Sequence, residues 1–425
     1  MTYKTSRYNN VMWHEGQAYL WNSFSNALLK LDAQALLFLE RYDGTDQSEN
    51  PYFDIFLRNR CLVSADLDEL DTVLREEKTA MHNPYQKVLH LTIAPGLGCN
   101  YNCVYCFEKD RASHVGMSSE VQEKTADFIL WLAENNPNLE YLMIRWFGGE
   151  PLLYMDAIKK ISERLIPWCE EHNIHYYAEI ITNGRFLTKE NAILLRQYRI
   201  QFAQIAVDGM PDYYIAQKRA RKEDFDATID NIALAADILP IQVRINLTDN
   251  FEEALALTRY LLIDRKLDRK IKMRIAHVRF YDRASSAKEI ERHIRFIAYE
   301  REYMKLFDKD GPYSAQSLSL PFPRRQPANC YKICGLNFCI GPEGELYRCE
   351  HWFGRKEMVA GNINEFQLPD HEIQSISFNR PQKCLQCSIL PVCLSGCLIY
   401  PKLAVACEQY KEERFQLLIR NCTSS

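Results

Sequence analysis

The sequence predicts an α/β protein whose central part is an open, partial barrel of the TIM type. Between residues 88 and 278, six apolar and β-branched runs alternate with five segments of helical periodicity. Such alternation predicts parallel strands joined by right-handed helical crossovers. Six strands are too few for an eight-stranded barrel, so we expect a partial (β/α)6 barrel. A small N-terminal unit precedes it, and a cysteine-rich region follows it.

The strands and helices of the barrel can be placed from these runs. The predicted strands are 88–93, 142–147, 177–182, 202–207, 241–246 and 271–278. The predicted helices are 118–135, 154–173, 188–199, 225–239 and 251–266. We therefore divide the chain into an N-terminal unit (1–82), a barrel (83–311) and a C-terminal domain (312–425). In barrels of this kind, chemistry gathers on the loops that follow the strands.

Residues 1–82 have a pattern of their own. Extended runs at 11–13 and 18–21 flank residues 14–17 and predict a β-hairpin. Helical patterns follow after Asp32, around Phe53 and from about Ser64. A hairpin with three short helices is typical of a winged-helix-like module, and a cap packed on the main domain is the equally open alternative.

Composition and charge exclude several classes of function. The 425 residues carry a formal net charge of −4 without a basic stripe, which argues against nucleic acid as a partner. We find neither a secretory signal nor an apolar run long enough to span a bilayer, so we expect a cytoplasmic protein without a membrane partner. Fifteen cysteines in a reducing compartment are better candidates for metal ligands than for disulfides.

The first cysteine group follows the first predicted barrel strand. Cys99, Cys103 and Cys106 have a C-x3-C-x2-C spacing. Three thiolates on one loop can hold three irons of a four-iron cluster and leave the fourth iron open to a ligand. A zinc site with His90 or His114 as fourth ligand is the alternative that spacing alone leaves open.

These residues resemble the signature of the radical S-adenosylmethionine (radical SAM) superfamily, in which an aromatic residue precedes the third cysteine. Motifs after the next three strands strengthen the resemblance: GGEP at 148–151, Thr-Asn-Gly at 182–184 and Asp-Gly at 208–209. The resemblance implies that the open iron binds S-adenosylmethionine. The residues that it implies near this cofactor are Tyr105, Phe107, Gly148, Gly149, Glu150, Thr182, Asn183 and Asp208. A nearby arginine, Arg219, is a further candidate for binding the cofactor.

The second cysteine group resembles the SPASM extension of the same superfamily. This resemblance implies two auxiliary [4Fe-4S] clusters, and hence three such clusters in the chain. One would use Cys330, Cys334, Cys349 and Cys397, and the other Cys384, Cys387, Cys393 and Cys407. Cys339 in place of Cys330, or Cys422 in place of Cys407, are open alternatives, and two zinc knuckles are another.

Three further polar positions are candidates for roles near the substrate. Glu350 follows Cys349 directly, and in the similar anaerobic sulfatase-maturating enzymes an aspartate there is proposed to deprotonate the substrate. The catalytic assignment of Glu350 competes with a solvated surface glutamate. Arg219 and Arg244 fall near the loop face and suit carboxylate binding, or are ordinary surface charges. His277 is more typical of a barrel histidine than of a ligand.

The resemblance implies a function. An external reductant of the flavodoxin or ferredoxin type supplies an electron, S-adenosylmethionine is cleaved, and the 5′-deoxyadenosyl radical takes hydrogen from a substrate. The main hypothesis is a maturase of a ribosomally made precursor peptide, with the 11–21 hairpin pairing with its leader segment. The alternative is a sulfatase-maturating enzyme that forms formylglycine, although residues 1–82 are then superfluous. A non-enzymatic electron-transfer or zinc protein is the alternative from another class.

Overall fold

The structure is a computed structural model, and it describes most of the chain. For residues 290, 409 and 421–423 it describes the backbone alone. The described residues are 2–45, 49–83, 85–108, 110, 116–278, 287–319, 325, 328, 330, 334–366, 380–395 and 407–423.

The N-terminal unit contains two small sheets and three helices. Its elements are β1 (Tyr3–Thr5), β2 (Asn9–His14), β3 (Gln17–Asn22), β4 (Ala27–Leu31), α1 (Ala33–Arg41), α2 (Pro51–Arg58), β5 (Leu62–Ser64) and α3 (Glu69–His82). Strands β2, β3 and β4 form an antiparallel sheet in that order, and β1 pairs with β5.

The predicted hairpin is present as β2 and β3. Glu15 and Gly16 connect the strands with φ values of 49° and 77°. Two consecutive positive φ angles are those of a type I′ turn, whose twist matches that of antiparallel strands. The predicted start of the third helix near Ser64 is wrong, because Ser64 ends β5 by pairing with Tyr3. The helix begins after Asp68, whose side chain accepts from the Asp71 N–H at 2.9 Å.

The two faces of the three-stranded sheet have different neighbours. Ala18 and Leu20 belong to an apolar cluster with Phe38, Phe53 and Phe56 of α1 and α2. Trp21, on the opposite face, is fully buried against three residues of the C-terminal region. Those residues are Ile389, Val392 and Leu418. The sheet therefore lies between its own helices and the cysteine-rich region.

The barrel follows from β6 to α10. Its strands are β6 (Val88–Ile93), β7 (Tyr141–Trp146), β8 (His175–Thr182), β9 (Ile200–Ala206), β10 (Ile241–Leu247) and β11 (Ile271–His277). Its helices are α4 (Ser119–Glu134), α5 (Met155–Glu171), α6 (Lys189–Gln197), α7 (Pro211–Lys218), α8 (Lys222–Ala235), α9 (Phe251–Arg259) and α10 (Ala287–Lys305). Tyr260–Asp264 continue α9 as a π-helix.

The six barrel strands are parallel and stand in sequence order from β6 to β11. This confirms the predicted partial barrel, and the strand ends differ by two residues or fewer. Two helices, α7 and α10, are not among the predicted ones. The eight-residue α7 begins at the proline of an Asp-Gly-Met-Pro sequence that indicates a turn. Its Pro211 lies in the first turn of the helix, where a missing N–H costs nothing.

The C-terminal region extends the barrel sheet instead of forming a sheet apart. Its elements are β12 (Cys339–Ile340), β13 (Glu345–Tyr347), β14 (Gly361–Asn362), α11 (Gln382–Leu385), α12 (Leu390–Cys393) and α13 (Cys407–Thr423). Strand β12 runs parallel to β6, and β13 and β14 follow antiparallel. In the described part of the chain, the order β11-β10-β9-β8-β7-β6-β12-β13-β14 makes one sheet of nine strands. The domain boundaries drawn from the sequence stay predictions.

The barrel holds the main core of the molecule. The helix-facing side chains of its strands, such as Leu142, Ile144 and Trp146 of β7, are fully buried. The alternate residues of the same strands face the barrel interior, and several are polar. Within the described residues, no helix is both long and apolar enough to cross a membrane.

Candidate functional site

The predicted motifs meet at one edge of the sheet. The cysteine loop (residues 99–106) follows β6, the GGEP loop (148–151) follows β7, the Thr-Asn-Gly turn (182–184) ends β8, and Asp208 follows β9. Parallel strands end at the same edge, so motifs far apart in the sequence become neighbours. Hydrogen bonds between the four loops show that they form one site.

The cysteine loop is held by the end of α7. The Asn102 N–H donates to the Lys218 carbonyl at 3.2 Å, and the Val104 N–H donates to the Gln217 carbonyl at 2.9 Å. Carbonyls in the last turn of a helix have no partner within the helix. The loop therefore supplies hydrogen-bond donors to the free carbonyl groups at the end of α7. The same bonds fix the backbone on both sides of Cys103.

The GGEP loop packs directly against the residues that precede Cys99. The Gly149 N–H donates to the Gly96 carbonyl at 3.2 Å, and the Glu150 N–H donates to the Gly98 carbonyl at 2.9 Å. A Cβ atom on Gly149 would lie 2.2 Å from the Gly98 carbonyl oxygen. Only glycine permits this close approach of two backbones.

Glu150 lies at the centre of three loops. Its side chain is fully buried and accepts from the Thr182 hydroxyl at 2.7 Å, the Leu152 N–H at 2.9 Å and the Asn183 N–H at 2.8 Å. Burial raises the pKa of Glu150, and these hydrogen bonds oppose that rise. The Asn183 amide group also lies 3.8 Å from the Cys99 sulfur. The carboxylate thus connects the GGEP loop to the Thr-Asn-Gly turn, beside the first cysteine.

Asp208 is a second buried carboxylate on which contacts of the site meet. The Tyr105 hydroxyl donates to its Oδ2 atom, and the Asn246 N–H donates to Oδ1 at 3.3 Å. The Lys218 ammonium lies 3.4 Å from Oδ2, and both charged side chains are almost fully buried. The aromatic residue of the cysteine signature is thereby fixed to the turn after β9.

Phe107 connects the cysteine loop to the C-terminal region. Its ring centroid lies 4.1 Å from that of His351 and 6.3 Å from that of Phe147, with the two phenyl rings stacked. Glu350–Trp352 form one turn of 3-10 helix directly after Cys349. Cys349 is therefore held close to the cysteine loop in space, although it lies 243 positions after Cys106 in the sequence.

Glu350 faces the barrel interior and not open solvent. Its side chain is 20 % exposed, and Oε2 lies 3.9 Å from the Arg145 guanidinium. Arg145 of β7 stands in register with Glu179 of β8 and forms an ion pair with it. On the far side of the interior, Arg244 and Arg274 are in register on β10 and β11. The interior is thus lined with charges of both signs.

The structure describes all but one of the cysteines predicted to hold the auxiliary clusters. In the set that includes Cys387, that residue and Cys393 pack against the apolar cluster around Trp21. Burial raises the pKa of Cys387, and the thiols Cys393, Cys407 and Cys384 add to the rise. In the other set, the Cys334 thiol lies 3.4 Å from the Cys330 carbonyl oxygen, and Cys349 belongs to an apolar cluster with the fully buried Cys339.

Some predicted positions lie apart from this site or outside the described residues. Arg219 is exposed and has a left-handed backbone that ends α7, with φ 52°. His277 is buried, and its Nε2 atom lies 3.7 Å from Glu289. Cys397 and His114 are outside the described residues, as is the side chain of Cys422. Their assignments stay predictions.

The residues present fit an iron–sulfur cluster with one open iron. Cys99, Cys103 and Cys106 are partly exposed on one side of a fixed loop, and the Tyr101 N–H donates to the Cys99 sulfur at 3.4 Å. Hydrogen bonds to sulfur are among the features that tune such clusters. Among the described residues, no three His, Cys, Asp or Glu side chains gather closely enough to hold a single metal ion.

Comparison with known proteins identifies the class. The family profile of the radical SAM superfamily matches residues 93–260, which include the four loops of the site. The chain therefore contains a radical SAM domain, and members of this superfamily are enzymes. The predicted family is confirmed at this level.

Three relatives have similar sequences. An uncharacterized protein from Methanothermobacter thermautotrophicus is 30 % identical over 34 % of this chain and 59 % of its own length. The radical SAM cyclopropyl synthase TigE from Paramaledivibacter caminithermalis is 23 % identical over 44 % of this chain and 42 % of its own. The chain thus covers about half the length of these two. The serine-type anaerobic sulfatase-maturating enzyme from Klebsiella aerogenes is 21 % identical over 72 % of this chain and 79 % of its own length.

Two solved structures have a fold similar to that of this chain. Native anSMEcpe with bound AdoMet has a TM-score of 0.60 and 19 % identity, and it covers 79 % of this chain and 99 % of its own. Streptococcus suis SuiB bound to precursor peptide SuiA has a TM-score of 0.54 and 14 % identity, and it covers 93 % of this chain and 96 % of its own.

Sequence reasoning missed three residues of the site. Lys218 precedes the predicted Arg219, and burial of its charge becomes visible only once α7 is packed. Arg145 and Glu179 lie at interior positions of β7 and β8 just before two recognised motifs. A charged residue at an inward position of a strand would have been the signal.

We expect Glu150→Gln to destabilise the reconstituted protein by about 1–3 kcal/mol, because an amide NH2 group would face one of three buried donors. Urea unfolding measures the effect. Glu134→Gln, at an exposed position at the end of α4, is the matched control and is expected to stay within about 0.5 kcal/mol of wild type. Equal stabilities of the two variants would contradict the role of Glu150 in joining the loops.

Proposed function

We propose that this chain is a radical SAM peptide maturase that modifies a ribosomally made precursor peptide. The proposed chemistry is reductive cleavage of S-adenosylmethionine and abstraction of a hydrogen atom from the peptide, which leads to a crosslink or an oxidised residue. The proposed metal ligands are the eleven cysteines of the three predicted clusters. A flavodoxin- or ferredoxin-type protein is the proposed electron donor.

The observation that carries the peptide assignment is the free edge of β2. Among the described residues, β2 pairs with β3 alone. Val11 and Trp13 on this strand are 47 % and 61 % exposed. Unpaired strand edges present backbone donors and acceptors to an incoming strand, while exposed side chains on alternate positions supply specificity. An extended leader segment with apolar residues fits this edge.

The position of the sheet supports a link between leader binding and the cysteine-rich region. Asn10 of β2 is bonded to Ser388, the neighbour of Cys387: its amide donates to the Ser388 carbonyl at 3.3 Å. The Ser23 hydroxyl donates to the same carbonyl at 2.6 Å. A leader held on β2 would therefore extend from a surface joined to an auxiliary cysteine loop.

The comparisons support the same choice. SuiB, solved with its precursor peptide, covers 93 % of this chain, whereas anSMEcpe covers 79 %. The difference is of the order of the N-terminal unit. A sulfatase-type enzyme has no need of this unit, whereas a precursor maturase uses such a unit to hold the leader at high effective concentration.

The residues of the barrel have distinct proposed tasks. Glu150 and Asn183 hold the Thr-Asn-Gly turn beside Cys99, where the cofactor would bind. Phe107 and Phe147 cover the cysteine loop with apolar surface and limit the access of water. Arg145, Glu179 and Arg244 line the interior and would orient the polar groups of the peptide backbone or core segment.

We expect anaerobic reconstitution to give about twelve irons per chain, from three four-iron clusters. The triple variant Cys99→Ala, Cys103→Ala and Cys106→Ala should hold about eight and release no 5′-deoxyadenosine from S-adenosylmethionine under dithionite. Iron analysis and chromatography of the products check both numbers. Saturation near four irons, with zinc bound, would sink the assignment of two auxiliary clusters.

The leader hypothesis is best tested by point variants of β2. Deleting residues 1–82 would uncover the apolar residues around Cys387, because Trp21 is buried against them. We expect Val11→Glu with Trp13→Glu to raise the KM for a precursor peptide at least tenfold, since charge replaces the apolar contact. The peptide for this assay is to be found in the neighbouring open reading frames, where a gene for a short Cys-, Tyr- or Trp-bearing peptide would identify the substrate.

Two controls accompany the β2 variant. Ile55→Glu changes a residue of α2 in the same unit that is 45 % exposed, and it should leave the KM unchanged. Cleavage of S-adenosylmethionine without peptide should stay within about twofold of wild type in both variants, since β2 lies outside the barrel. An unaltered KM in the β2 variant would shift the preference to a sulfatase-type function.

One observation favours that second function. Glu350 follows a proposed cluster ligand and faces the barrel interior beside Arg145, where a base acting on a Cys or Ser substrate would stand. In this alternative, Glu350 would accept the proton of the substrate thiol or hydroxyl. Removal of a hydrogen atom from the adjacent carbon by the 5′-deoxyadenosyl radical, and of one further electron by an auxiliary cluster, would complete the oxidation; the aldehyde forms directly from Ser, and from Cys after hydrolysis of a thioaldehyde with loss of sulfide. The neighbouring Arg145, 3.9 Å from Glu350, would hold the carboxylate in place towards the interior.

The variant Glu350→Gln tests this role, because it keeps the size of the side chain but removes its ability to accept a proton. As a base, Glu350 would contribute about 100-fold or more to the rate of product formation with a Cys- or Ser-containing peptide. Glu357→Gln, in the next 3-10 turn, is the control. We expect both variants to form product at the wild-type rate, because the proposed peptide-crosslinking function does not require Glu350 as a base. A loss of rate in Glu350→Gln but not in Glu357→Gln would favour the formylglycine reaction.

A further inference from the structure

Lys218 is a buried charge for which the proposed mechanism has no task. It is 1 % exposed, and lysine is almost never fully buried unless it is paired. Its partner Asp208 is fully buried, with 3.4 Å between Nζ and Oδ2. The ammonium also lies 5.4 Å from the centroid of the Tyr214 ring, within the range of a cation–π contact. Maintaining a charge at this depth is costly, so its position calls for a reason.

The main chain of the same residue holds the cysteine loop. Helix α7 ends at Lys218 because Arg219 takes a left-handed conformation. The carbonyls of Gln217 and Lys218 accept the N–H groups of Val104 and Asn102, on either side of Cys103. Asp208, which fixes the Lys218 side chain, also accepts from Tyr105 of the loop. The loop is thus bonded through its backbone to the last two residues of α7, and through a side chain to the carboxylate that pairs with Lys218.

The ammonium lies beside the part of the loop that carries Cys103. It is 3.4 Å from the Asp208 carboxylate that accepts from Tyr105, and the backbone carbonyl of the same lysine accepts from Asn102, the residue before Cys103. A cation in a region of low dielectric constant stabilises nearby negative charge. An iron–sulfur cluster becomes more negative when it gains an electron, and its potential depends on the charges around it. A buried cation beside one ligand therefore favours the reduced cluster.

We propose that Lys218 is a positioning and charge-compensating residue for the cluster held by Cys99, Cys103 and Cys106. Together with Asp208 it anchors the end of α7 against the cysteine loop, and its charge makes the cluster easier to reduce. This inference rests on the proposed function in one respect, namely that these cysteines hold a cluster. It assigns a role to a residue that neither contacts the substrate nor ligates iron.

The test uses the reconstituted full-length chain with Lys218→Met, which keeps the length of the side chain and removes its charge. In a redox titration followed by electron paramagnetic resonance, the ratio of reduced to oxidised cluster at a fixed potential should fall at least tenfold. For a one-electron couple this is a shift of about 59 mV to lower potential. The triple cysteine variant lacks the ligands of the first cluster, so its spectrum shows which signals belong to the auxiliary clusters. Lys218→Arg should keep the wild-type potential.

Two further measurements separate charge from structure. Lys222→Met removes a charge from an exposed position four residues away and should shift the ratio by less than twofold, since solvent screens it. Hydrogen exchange at Asn102 and Val104 should be faster in Lys218→Met than in Lys222→Met. Lys218→Met leaves the buried Asp208 without its partner and could fail to fold. In that case the double variant Lys218→Met with Asp208→Asn is measured instead, and its reduction potential is expected to shift in the same direction.

The outcomes are distinct. An unchanged potential in Lys218→Met, or equal shifts in Lys218→Met and Lys218→Arg, would overturn the inference while the cluster and the proposed function stand. Unchanged hydrogen exchange at both amides would overturn the positioning role. A wild-type chain that binds no iron through Cys99, Cys103 and Cys106 would overturn the proposed function and this inference with it.

Discussion

The geometry of the site depends on one buried carboxylate, that of Glu150. Three donors from two loops converge on it, and its own backbone is bonded to the residues that lead into the cysteine loop. A buried acceptor with all its donors in place stabilises the structure, whereas losing one partner leaves an expensive unsatisfied group. The loops after β6, β7 and β8 are therefore coupled, and a change in one is felt in the other two.

The pairing of β12 with β6 determines where the cysteine-rich region lies. Because β12 is hydrogen bonded to β6, the region is not a separate body attached by a linker. The Thr92 N–H donates to the Phe338 carbonyl and the Ala94 N–H to the Ile340 carbonyl, both at 2.9 Å. Sheet geometry thereby places His351, which follows Cys349 and Glu350, against Phe107. The charged residues of the interior, such as Arg145 and Glu350, meet across this junction.

The sequence was informative where local pattern and chemistry agree. The alternation of strands predicted all six barrel strands, and strand ends predicted that Cys99, Glu150, Thr182 and Asp208 would meet. It was silent where tertiary packing decides. The sequence does not indicate that Lys218 is buried, because its partner Asp208 lies ten residues earlier on another loop. The pairing of β12 with β6 joins residues 247 positions apart, and two-residue strands leave no periodic pattern to detect.

The exposed strand β2 also affects how the protein behaves in solution. An unpaired edge with apolar side chains is a template for any strand, including the same strand of a second copy. Antiparallel pairing of two β2 strands would bury Val11 and Trp13 of both chains. Self-association of this kind would compete with a peptide for one surface. Protein concentration then becomes a variable of the apparent affinity, and dilution would favour the peptide-binding form.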